Sequence, residues 1–157
     1  MPSNWAHVHL LLNHIPLLGV FFGLVLLAAA SYWQNEEWKK AALWAFVIVA
    51  LLAIPAYLTG EPAEDVVENL PGIEDSLIEE HEDSALLSLI GIEVLGAASL
   101  AGLFFFSRSG SIHSGWILAC LLLAVVTAAM LGWTAHLGGN IHHPEARSDF
   151  AVPANAD

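Results

Sequence analysis

Long unbroken apolar runs, rather than alternating or one-sided patterns, dominate the chain. A run of about 20 residues crosses about 30 Å of hydrocarbon at about 1.5 Å per residue. Four such runs occupy residues 14–33, 41–59, 85–106 and 114–135. Open strands would leave edge amides unpaired in lipid, and no period-two alternation points to a barrel, so the runs read as helices. The short connections 34–40 and 107–113 make antiparallel neighbours of helices one and two and of helices three and four. The expected fold is therefore all-α, an integral membrane four-helix up-and-down bundle forming a single domain.

The connection between helices two and three is longer. It opens with Gly60 as a helix stop and Pro62 as a first helical residue, and it closes with Pro71 and Gly72. Between them a short interfacial helix is expected, with Val66, Val67 and Leu70 facing inward. Ser76 and Glu79 fit a capping box that starts helix three well outside the hydrocarbon. Residues 60–84 thus form an acidic loop and the entry to helix three, and residues 136–157 form a tail.

Composition agrees with burial in a bilayer. Of 157 residues, 57% are hydrophobic and 13% charged, against about 45–50% and about 25% in soluble domains. Mean hydropathy is +0.65. A single cysteine, Cys120, excludes a disulfide framework, a four-cysteine zinc site and a CxxCH haem attachment within the chain. The net charge of −12, with only four Lys and Arg, argues against nucleic acid as a partner.

Lys and Arg set the expected orientation. Lys39, Lys40 and Arg108 flank the two short loops, whereas Arg147 is alone at the other end, which places the short loops in the cytoplasm. Both termini and the middle loop then face outward, as expected for a multi-pass protein of a bacterial inner membrane. Ten carboxylates between Glu61 and Asp83, with Glu145, Asp149 and Asp157, share that outer side. Trp33, Trp38 and Trp116 mark the inner interface, and Trp5 and Trp133 the outer one. The N-terminal segment has no Lys or Arg before its apolar run and no small-residue cleavage site after it, so helix one is expected to stay in the membrane.

Once the helices are placed, seven of the eight histidines fall on the outer side and only His113 on the inner side. His7, His9 and His14 precede or open helix one, His81 stands above helix three, and His136, His142 and His143 end helix four. Imidazole is the usual axial ligand of b-type haem in membrane bundles and a common metal ligand. His14 and His81 are the expected haem pair, because helices one and three lie diagonally in an up-and-down bundle. His136 substitutes for either, while His9 and His143 would hold a second haem or its propionates. Below His81 the small residues Ser84, Ser88 and Gly91 form a stripe that leaves room either for a macrocycle or for a close neighbouring helix.

A non-haem copper, zinc or iron centre is the competing reading. His9, His14, His81, His136 and His143 would supply nitrogen and Glu61, Glu64, Glu82 and Glu145 oxygen. In a helix His7 and His9 point about 200° apart, so both can bind one ion only if that segment is extended. Glu93, about eight residues into the third span, is expensive if ionised there. It reads as a proton relay or quinone contact, or as a protonated core acid hydrogen-bonded by Thr127. Cys120 reads as packing.

The segments HVHLLLNHIP, TGEPAEDVVENLPG, IEEHED and AHLGGNIHHPE resemble an uncharacterised family of small bacterial four-span membrane proteins. The resemblance covers most of the chain and implies that His9, His14, Glu61, Glu64, His81, Glu82, His136 and His143 are signature positions. His142 departs from the family pattern, which more often has Arg there. The resemblance names no reaction. The residues point to a membrane b-type cytochrome or redox subunit, an electron carrier rather than a stand-alone enzyme, relaying electrons from quinol to a basic soluble carrier or within a larger respiratory or photosynthetic complex. A non-haem metal protein and a cofactor-free structural subunit are the alternatives.

Overall fold

A computed structural model describes residues 4–68, 70, 71, 73–106, 110–143 and 147. Its elements are α1 (Trp5–Leu12), α2 (His14–Tyr32), α3 (Glu36–Leu58), α4 (Gly60–Val67), α5 (Asp75–Phe106) and α6 (Ser114–His142), with no strand among the described residues. Asn13 keeps right-handed helical angles between α1 and α2, so residues 5–32 run as one long apolar helix. The chain is an all-α four-helix bundle in which four helices are long and apolar enough to cross a membrane.

The packing order is a ring. α2 meets α3, α3 meets α5, α5 meets α6 and α6 returns to α2, which leaves α2 diagonal to α5. Close approach explains the small residues along the seams. A Cβ on Gly23 would lie 2.5 Å from the Phe46 ring, and one on Gly96 would lie 2.5 Å from the Ala50 methyl, so α3 is gripped from both sides by glycine. Val20, Leu27, Leu43, Phe46, Leu95 and Cys120 fill the interior. Phe22, Val25, Leu51, Leu87, Phe104 and Leu122 point outward instead. Helices apolar on every side need an apolar surrounding, which a bilayer supplies.

Lengths place the ends. The 32 residues of α5 and the 29 of α6 rise about 48 Å and about 44 Å, more than the hydrocarbon thickness. Their excess lies at one end of the bundle, where α5 begins with the carboxylate-rich stretch Asp75–Asp83 and α6 continues past Ala135. His9 on α1 and α4 share this end, called here the histidine end; Lys39, Lys40 and Trp116 stand at the opposite, lysine end.

The loop between α3 and α5 differs from expectation. Gly60 does not stop a helix: Thr59 stays right-handed and α4 starts at once. The residue of α4 that is buried is Ala63, whereas Val66 is 36% and Leu70 51% exposed and Val67 is half-buried. The reason is that α4 packs against α1, where a Cβ on Gly60 would lie 3.9 Å from the His9 ring. Ser76 lies inside α5, which begins at Asp75, so it does not precede the helix as a cap would. Gly72, expected to close the loop, lies outside the described residues, as do Arg108, Glu145, Asp149 and Asp157.

The lysine end is tied by polar contacts. Lys39, only 5% exposed, binds Glu36 at 2.7 Å, and the other Glu36 oxygen accepts the Ile112 N–H at 3.1 Å. The Lys39 hydrogen bond, aided by Ile112 and the lysine charges, holds the Glu36 carboxyl below its usual range. His113 caps α6 by accepting the Gly115 N–H at 3.2 Å. Trp116 is tucked between helices rather than lying in an interface belt: its indole N–H donates to the Ala98 carbonyl at 3.0 Å, over Gly102.

Candidate functional site

At the histidine end, helical spacing sets the inward stripe of the first long helix. His9, Asn13, Pro16 and Val20 recur at i, i+4, i+7 and i+11, and Pro16 and Val20 are buried in the bundle. His9 is half-buried, and its Nδ1 lies 3.1 Å from Thr59 Oγ1. The Thr59 hydroxyl proton is already committed to the Ala56 carbonyl at 2.7 Å, so Oγ1 accepts and His9 Nδ1 donates. This network therefore assigns the Nδ1–H tautomer to His9 and leaves Nε2 with its lone pair.

His81 reaches the same state from the other side. Its Nδ1 lies 3.0 Å from the Thr134 carbonyl, which can only accept, so Nδ1 is again protonated and Nε2 free to bind a ligand. Gly138 makes room for this ring, because a Cβ there would sit 3.0 Å from His81 Cε1. Both residues lie beyond the apolar stretches 14–33 and 85–106. Burial lowers the pKa of each; His9 is lowered further by the charge of His81, against the opposing effect of a hydrogen bond with the Ala56 carbonyl. The Thr134 carbonyl and Glu82 oppose the shift at His81, while His142 adds to it. Each imidazole is thus oriented by a hydrogen bond at its Nδ1 and has its pKa held below the ordinary histidine value.

Glu64 on α4 and Glu82 on α5 meet beside them. A hydrogen bond to Glu82, with burial and the charges of Glu82, Glu68 and Asp65, pushes the Glu64 carboxyl up to about 7. Glu64 is therefore partly protonated at neutral pH.

Below His81, the small-residue stripe holds a helix rather than a macrocycle. Thr134 Oγ1 lies 2.7 Å from Ser84 and 2.8 Å from Ser88 and donates to the Met130 carbonyl at 3.1 Å. One turn deeper, a Cβ on Gly91 would lie 3.3 Å from Thr127 Oγ1. The α5–α6 seam is filled by direct contact.

Other expected residues stand apart. His14 is exposed, and its Nδ1 bonds the Leu10 carbonyl of its own helix at 2.9 Å. It sits five residues, about 140°, round the helix from His9, and so lies off the inward stripe that carries His9. His136 is exposed against the Trp133 ring at 5.5 Å, with Asn140 Nδ2 3.4 Å from its Nε2. His143 follows the end of α6 and is exposed, as is Glu61. His7 is exposed on helical backbone, so it cannot join His9 on one ion. Among the described residues no three His, Cys, Asp or Glu side chains gather to hold one ion. In the third span Glu93 Oε1 is buried without a hydrogen-bond partner, and Thr127, expected to satisfy it, faces Gly91 instead.

Three participants escaped the sequence reading. Thr59 and Thr134 fix the two imidazoles, and Asn13, one turn below His9, buries Oδ1 without a partner. The His9-to-Asn13 spacing of four would have revealed the last, had residues 5–13 been read as helix. No protein-family model matches the chain, and no match was found among curated proteins or solved structures.

Proposed function

We propose that the protein is a four-span membrane electron carrier of the b-type cytochrome kind, holding haem iron at its histidine end through His9 and His81. The observation that carries this reading is the matched geometry of the two rings: each sets Nδ1 against a fixed oxygen, Thr59 Oγ1 or the Thr134 carbonyl, and burial lowers the pKa of each. Such backing at the far nitrogen orients a ligand and raises its basicity. A porphyrin supplies four of the iron's ligands, so two imidazoles from different helices are enough; a bare ion needs three or four donors from the protein. Haem, when bound, supplies one-electron chemistry. The chain's part is to orient the ligands through Thr59 and Thr134 and to admit the His81 ring over Gly138.

By the Lys and Arg asymmetry, this end faces outward from a bacterial inner membrane, with both termini on the same side. Electrons would pass from membrane quinol to a soluble carrier or a partner subunit. The carboxylates from Glu61 to Asp83 would attract a basic docking face. Absorption spectroscopy of detergent-purified protein tests the reading: haem ligated by two imidazoles gives a six-coordinate, low-spin spectrum.

A bare copper, zinc or iron ion is the second reading, favoured by the oxygen donors at this end, the buried Asn13 Oδ1 without a hydrogen-bond partner and the Glu64–Glu82 pair. Elemental analysis of colourless protein would support it. Absence of both haem and metal would leave a structural subunit.

A further inference from the structure

At the lysine end a cavity of about 230 Å³ opens between α3 and α5, lined by Lys40, Trp44, Leu103, Phe106 and Ile112. Its walls are fixed independently of any ligand. Glu36 holds the Ile112 backbone at 3.1 Å and is itself anchored by buried Lys39. The Phe106 ring rests 6.1 Å from that of Trp116, whose indole is pinned to the Ala98 carbonyl. Trp44 is half exposed on the lipid side. The result is an apolar slot between spanning helices with one ammonium at its rim, and at this volume it takes part of one acyl chain rather than a whole amphiphile.

We infer that this slot binds one anionic phospholipid of the adjacent leaflet, with an acyl segment against Leu103, Phe106 and Ile112 and the phosphate at Lys40. Charge selects this occupant. The chain has only four Lys and Arg; Lys39 is buried in its pair with Glu36, whereas Lys40 contacts the exposed Glu37 at 2.8 Å. A surface pair of that kind is weakly held, so the Lys40 ammonium can turn to a phosphate at the headgroup level. Basic pockets between spanning helices recognise anionic headgroups in this way, and each lysine near an anionic surface favours binding about fivefold. The inference is independent of the redox reading, because the slot lies at the opposite end of the bundle.

The test is native mass spectrometry of the detergent-purified full chain titrated with dioleoyl phosphatidylglycerol or dioleoyl phosphatidylcholine. The wild type should retain one phosphatidylglycerol in preference to phosphatidylcholine by about fivefold. Lys40→Gln should abolish that preference, Glu37→Gln should keep or increase it, and Ile112→Trp, which fills the slot, should release the lipid. Circular dichroism checks that each variant retains its helix content. Equal retention of the two lipids by the wild type, or an unchanged preference in Lys40→Gln, would overturn the inference. Loss of preference in Glu37→Gln would do the same, and that arm still decides if another variant fails to fold.

Discussion

His81 donates its Nδ1 proton to the Thr134 carbonyl at 3.0 Å, while the Thr134 hydroxyl meets Ser84 and Ser88 and bonds back to Met130. One residue of α6 thereby fixes both the orientation of the ring and the seam beneath it. The ring depends on space as well, since Gly138 lies directly over its edge.

Gly138→Val should therefore displace the imidazole without unfolding the bundle. A Cβ would already stand 3.0 Å from His81 Cε1, and two further methyls cannot be accommodated there. Ligand content per chain should fall sharply while the helical circular dichroism spectrum stays the same. Full ligand content would show that the ring is not confined as described.

Thr59→Val keeps the side-chain shape and removes the acceptor for His9 Nδ1–H. Loss of such a backing partner typically weakens metal affinity about 10–100-fold. Equilibrium titration of ligand-free protein with haem, comparing wild type and variant, reads this directly; an unchanged dissociation constant would count against the assigned tautomer.

Stability should respond to pH through Glu64. Its carboxyl is raised to about 7 in the folded protein, above its ordinary value of 4.5, so the folded state holds the proton more tightly than the unfolded state. That contribution stabilises the fold at low pH and is lost as pH rises from about 4.5 to about 7. The lowered values of His9 and His81 act in the opposite sense, favouring the fold as pH rises through their titration. Glu64→Gln isolates the first effect: the difference in melting temperature between wild type and variant should move against the wild type across this window. A difference that does not vary with pH would show that the Glu64 carboxyl is not raised in the folded protein.

At the other end, Glu36→Ala strands the Lys39 ammonium and the Ile112 N–H. An unsatisfied buried group costs about 1–3 kcal/mol, so denaturant unfolding should detect a loss of that order. His113→Ala should affect stability through the lost α6 cap, by about 1 kcal/mol, and leave ligand content unchanged.

The bundle was legible in the sequence because hydrocarbon thickness fixes run length and short loops fix adjacency. What run length does not encode is rotation about each helix axis. His14 and His81 lie on the expected diagonal helices, yet His14 faces away because it stands about 140° from the stripe that Pro16 and Val20 carry into the core. His9 lies on that stripe once residues 5–12 are helical. Ser84, Ser88 and Gly91 read equally as space or as contact, and Thr134 and Thr127 on α6 decide for contact. Local pattern alone turns Val66 and Leu70 inward, but it carries no information on the packing of α1 against α4, in which Ala63 is the residue of α4 that is buried.

If His9 and His81 are paired ligands of one haem, the reduced-minus-oxidised absorption spectrum of protein purified from haem-supplied cells will show it. A low-spin b-type spectrum at one haem per chain is expected, lost in His9→Ala and in His81→Ala and retained in His14→Ala and His113→Ala. A colourless wild type, or a spectrum that survives both His9→Ala and His81→Ala, would contradict it.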